Sequence, residues 1–112
     1  LDWEMARLGD PVQDLAWWIA LDRCFSEGLG VVRLAGLPDR HATIARWEQL
    51  VGRAARHFAY YEMLALYKFT AIMARVILQM KHYEIMPADS DMDVNNLASV
   101  TLARVLDEVT EG

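Results

Sequence analysis

The segment from about Phe58 to Tyr83 most narrows what this chain can become. It is apolar on most sides and long enough for one helix, so a membrane span is the first reading it invites. Three charges, Glu62, Lys68 and Arg75, interrupt it. Each would cost about 3 kcal/mol at a hydrocarbon centre. Lys68, Arg75, Gln79 and His82 recur at spacings of seven, four and three, which sets them on one helical face. The segment therefore reads as the central helix of a soluble bundle with one wet edge.

The rest of the chain supplies the partners for that helix. Gly9-Asp10-Pro11 opens a first helix over about Pro11–Phe25. Asp10 can accept from orphan N–H groups, Pro11 suits the first helical position, and Gln13 completes a capping-box spacing. Leu15, Trp18, Ile19 and Leu21 supply its apolar residues. Ser26 to Pro38, with Gly28, Gly30 and Gly36, reads as a connection with a short extended or helical piece at Val31–Leu34. Pro38-Asp39 opens a second helix to about His57, with Ile44, Trp47, Val51 and Ala54 inward and Arg46, Gln49, Arg53 and Arg56 outward. Pro87 and an acidic loop precede a fourth helix over about Val94–Val109. There Val94, Ala98, Leu102, Val105 and Val109 face inward, while Asn96, Ser99, Asp107 and Glu111 face water. The expected fold is all-α, with about four helices in one domain.

Composition limits the function classes. The 112 residues carry 11 basic and 16 acidic side chains, a formal net charge of −5. Such a balance argues against a nucleic-acid binder and against adsorption to an anionic membrane, both of which need a basic field. At 54% hydrophobic residues the chain can bury a core and is not disordered. The single Cys24 excludes an internal disulfide and fits a reducing cytoplasm. An opening Leu1 without methionine, and with no signal-peptide pattern, suggests a processed chain or a piece of a longer one.

One motif goes beyond a helical domain. Leu1-Asp2-Trp3-Glu4 is followed by Gly9-Asp10-Pro11 and Asp14-Leu15-Ala16-Trp17, giving the pattern D-W-E-x-A-x-x-G-D-P-x-x-D-L-A-W. Here the chain resembles the aminoglycoside phosphotransferase and choline kinase-like family, in particular its branch related to the kinase-like domain of some acyl-CoA dehydrogenases. Tyr60-Tyr61-Glu62 and Ala65-Leu66-Tyr67-Lys68 are similar to that branch too, less specifically.

The resemblance implies the C-terminal helical subdomain of a protein-kinase-like large lobe. Asp2 matches the Asp that holds Mg²⁺ against nucleotide phosphates, a role that suits a hard oxygen ligand. Asp10 would cap the next helix. Asp14 resembles the buried Asp that supports the catalytic loop from behind. Trp17, Tyr60, Tyr61 and Glu62 are candidates for the acceptor pocket. The implied reaction is phosphoryl transfer from ATP, with Mg²⁺, to a small hydroxyl compound. The H-G-D-x-x-x-x-N type catalytic loop and the nucleotide-binding lobe are absent from these 112 residues. Neither ATP nor Mg²⁺ is therefore expected on this chain alone, and the chain alone should be inactive. Apolar surface that a missing lobe would cover should drive self-association.

Plainer readings stand beside these. Asp2 can be a terminal acid and Asp14 a first-turn acid favoured by the helix dipole. Trp18 and Trp47 read as core, whereas Trp17 points elsewhere on the helix. Tyr60, Tyr61 and Glu62 can be packing plus one solvated acid. Arg46, Arg53 and Arg56 form a charged face of the ordinary solvated kind. His41, His57 and His82 are too scattered for a metal site. The alternative function is a non-catalytic helical module that binds a ligand or a protein; a transcription-factor role lacks a basic reading head.

Overall fold

A computed structural model describes residues 9–111. The expected strand end and turn at Leu1–Leu8, and with it Asp2, lies outside the described residues. Four helices follow in order: α1 (Val12–Ser26), α2 (Arg40–Val51), α3 (Phe58–His82) and α4 (Leu97–Glu111), with a 3-10 turn at Glu27–Leu29. Among the described residues there is no strand, so the fold is all-α.

Three of the four helices start where a polar side chain takes their orphan N–H groups, whereas α3 begins after His57 without a side-chain cap. Asp10 Oδ1 accepts from Val12 N at 2.9 Å, as the sequence predicts. Asp39 Oδ1 accepts from Ala42 N at 2.8 Å and opens α2. Asn96 Oδ1 accepts from Ala98 N and Ser99 N at 2.9 and 3.1 Å, while Ser99 Oγ accepts from Asn96 N at 2.8 Å. This reciprocal cap buries Asn96, which the sequence reading places in water, and starts α4 at Leu97 rather than Val94.

Helix ends also differ from the pattern. α2 stops at Val51 because Gly52 takes φ +82° and donates back to Glu48 O at 2.9 Å. The expected continuation to His57 is therefore broken, and Ala54 is exposed. The helical turn in the first connection sits at Glu27–Leu29, and Val31–Leu34, expected as a short extended or helical piece, forms neither helix nor strand. The third helix runs as expected to within a residue of Tyr83.

The core lies where α1 meets α3, with α4 closing one side. Val12, Leu15, Ala16 and Ile19 pack with Phe58 in one cluster, joined at its edge by Ile44 and Trp47 from α2. Ala20, Cys24, Ala65, Leu66 and Val105 form the second, flanked by Trp17, Phe69 and Leu102. A fully buried Leu66 contributes about 2 kcal/mol by leaving water. No residue of α2 is fully buried, so it is the outlying element. α3 could cross a membrane by length and composition. Its first half packs against α1 and α4 and carries a buried glutamate. Its second half leaves Arg75, Gln79 and His82 exposed, as the wet edge requires, together with Leu78 at 53%.

Candidate functional site

A cleft of about 490 Å³ opens between α1, α3 and α4 and is bounded on its remaining side by Arg33, Asp39 and Arg40. The apolar lining comes from Ile19, Ala59, Val105 and Val109. Around these stand three guanidinium groups (Arg23, Arg33, Arg40) and five carboxylates (Asp22, Glu27, Asp39, Glu62, Glu108). The wall is therefore acid-rich, and it can accept hydrogen bonds from a donor-bearing small molecule.

Its deepest charged side chain is Glu62, which is 4% exposed. Arg40 meets it with both prongs, Nε to Oε2 and Nη2 to Oε1, each at 3.0 Å. The same guanidinium lies 4.9 Å over the Phe58 ring. Such fork-to-fork pairing satisfies both carboxylate oxygens at once and makes the burial tolerable. On the opposite wall Arg23 donates to Glu27 Oε2 at 2.8 Å and to Glu108, while Arg104 reaches the same Glu27 oxygen at 3.2 Å. Burial pushes Glu27 up, but Arg23 and Arg104 outweigh it and hold the carboxyl below its ordinary value. Arg33 donates to Asp22 through Nη2 at 2.8 Å, and its buried Nε has no hydrogen-bond partner.

The residues singled out from sequence do not converge. Of Trp17, Tyr60, Tyr61 and Glu62, only Glu62 lines the cleft. Trp17 is a packing residue: its ring meets Phe69 edge-on, with centroids 5.9 Å apart. Tyr60 is 63% exposed and lies edge-on to Tyr61 at 5.2 Å, while Tyr61 packs against the first core cluster. Glu62 is not a solvated acid, because Arg40 lets it be buried. Trp18, expected in the core, is 65% exposed, whereas Trp47 is half-buried as the edge of that core.

Asp10 performs its predicted cap and also pairs with Arg53 at 2.6 Å. Asp14 is exposed in the first turn of α1. Asp14, Trp18 and Phe25 follow one another at helical spacing, opposite the buried row of Val12, Ile19 and Arg23's neighbours Ala16 and Ala20. Phe25 is 54% exposed. The expected Mg²⁺ ligand Asp2 lies outside the described residues, among which no group of three or more His, Cys, Asp or Glu could hold a metal ion.

Arg40, Asp22, Arg33 and Glu108 went unrecognised in the sequence. Only Arg23 and Glu27, four apart across the end of α1, carried a local signal. The other pairs join residues that folding alone brings together. No family model matches the chain, and no solved structure matches it.

Proposed function

We propose that this chain is the C-terminal helical part of a kinase-fold, small-molecule phosphotransferase, one that transfers a phosphoryl group from ATP to a hydroxyl acceptor. The observation that carries the reading is the outward stripe of α1. A helix whose opposite side forms the core of the bundle presents an exposed acid, Asp14, in line with the exposed Trp18 and with Phe25, which is 54% exposed and touches Phe69 with its ring. That is the surface a supporting helix needs if a catalytic loop from the same enzyme rests on it. The motif Asp2 to Trp17 supplies the same expectation from sequence.

In this reading the cleft beside Glu62 takes the acceptor. Its carboxylates accept hydrogen bonds from hydroxyl groups, and its apolar lining excludes water from the carbon skeleton. Asp2 would hold Mg²⁺ in the intact enzyme, where the cation supplies charge neutralisation at the phosphates. Among the described residues no group of three or more His, Cys, Asp or Glu could hold the cation in its place. The isolated chain is inactive, because phosphoryl transfer needs the catalytic base, the metal and the nucleotide lobe together. The intact enzyme belongs in the cytoplasm, without nucleic acid or membrane as partner, and the isolated chain self-associates through the α1 stripe.

The test is to express these residues together with whatever coding sequence precedes Leu1 and to follow ATP consumption with a panel of hydroxyl compounds. Acceptor-dependent turnover that Asp2→Asn abolishes supports the reading. A longer protein that never consumes ATP, yet binds small molecules in a Glu62-dependent way, would instead make this a ligand-binding module. The half-open cleft, with the buried Glu62 in its wall, is the observation that favours that second reading.

A further inference from the structure

We infer that the segment from Gly30 to Gly52, the connection plus α2, is a charge-latched lid over the cleft. Three arginines tie this part of the chain and its exit to the three-helix frame, and in every case the carboxylate is on the frame. Arg33 in the connection pairs with Asp22 of α1 at 2.8 Å. Arg40 at the start of α2 pairs with Glu62 of α3 at 3.0 Å. Arg53, just past Gly52, pairs with Asp10 ahead of α1 at 2.6 Å. Apolar attachment is slight by comparison: Ile44 and Trp47 are only half-buried, and no residue of α2 is fully buried.

The ends of the segment suit movement. Gly30 and Gly52 have φ of +68° and +82°, and each has open space around it. Backbone at such positions can change direction without a side chain to clear. The segment also contributes Arg33, Asp39 and Arg40 to the cleft wall. Lifting it removes these three groups, uncovers Glu62 and widens the entrance between α1 and α3. The inference goes beyond the phosphotransferase reading and does not depend on it, since it concerns access to the cleft whatever the cleft holds.

Charge latches respond to salt, whereas an apolar core does not loosen with it. Amide hydrogen exchange on the whole chain therefore tests the lid. Raising NaCl from about 0.05 to 1 M, where the screening length drops from above 10 Å to about 3 Å, should speed exchange in Arg40–Val51 by about tenfold. Exchange in Leu15–Cys24 and Ala65–Ile77 should stay unchanged. Arg33→Asp should produce the same local loosening at low salt, and adding Asp22→Arg should restore protection by reversing the pair. The lid is overturned if α2 exchange is indifferent to salt, or if α2 loosens only together with α1 and α3. Should Arg33→Asp fail to fold, the salt series on the unaltered chain decides alone.

Discussion

Arg40 and Glu62 meet through two parallel hydrogen bonds of 3.0 Å, and this pair joins the start of α2 to the first half of α3. Glu62 is buried, while the Arg40 side chain keeps 38% of its surface exposed. The carboxylate therefore depends on the arginine more than the arginine depends on it. Arg40→Met should destabilise the chain by about 2 kcal/mol, below the full cost of a buried unpaired charge because water reaches the site. Removing both partners together, as Arg40→Met with Glu62→Leu, should recover most of that loss. Urea denaturation of the two single variants and the double variant measures the coupling.

Gly28 lies directly against the start of α4. A Cβ there would lie 2.8 Å from Leu97 O and 2.8 Å from Thr101 Oγ1. Because one of these atoms is backbone, α4 itself must shift. Gly28→Ala should cost about 2 kcal/mol through that clash. Gly30→Ala meets nothing within 4 Å and should cost about 1 kcal/mol, from its positive φ alone. Thermal melts should rank the two variants in that order.

The adjacent tryptophans should behave oppositely. Trp17 packs edge-on against Phe69, so Trp17→Ala should lose about 3 kcal/mol of stability. Trp18 is 65% exposed, and Trp18→Gln should change stability by less than about 0.5 kcal/mol. The same Trp18→Gln should weaken self-association, which sedimentation over a range of concentrations would show as a shift toward monomer. An unchanged distribution would separate the α1 stripe from association.

Acid should unfold this protein through a few identifiable carboxylates. The backbone N–H of Val12, with Arg53, holds Asp10 below its ordinary value of 3.8. Lys81 does the same for Asp93. At Glu27 burial raises the carboxyl, but the arginines beside it win. A carboxyl with a depressed folded-state pKa contributes stability that is fully present above its unfolded value. That contribution is lost as pH falls through the folded value. Melting temperature should hold steady down to about pH 4.5 and then drop as these groups take up protons. Asp10→Asn should start lower at neutral pH and show a shallower acid drop.

Cys24 is fully buried, and burial pushes its thiol up from the ordinary value. A thiol reagent at pH 8 should therefore modify the folded chain only at the rate at which it opens. Modification should become immediate in urea above the unfolding midpoint. Fast labelling of the native chain would show that α1, α3 and α4 do not close over the sulfur.

The amino-acid order by itself determined the class of fold and most helix starts. Asp10, Asp39 and the apolar run after Phe58 act through neighbours a few residues away, and such local chemistry is readable in one dimension. Tertiary structure decided what faced what. Trp18 and Ile19 are both apolar and adjacent, yet only contact with α3 selects Ile19 for the core and leaves Trp18 outside. Glu62 resembles a solvated acid until Arg40, 22 residues away, arrives beside it. The cleft belongs to this second category: its walls come from α1, α3, α4 and the connection, and no local pattern encodes the distances among them. Capping and periodicity are short-range effects of the backbone, whereas burial and ion pairing depend on which distant surfaces fill the same space.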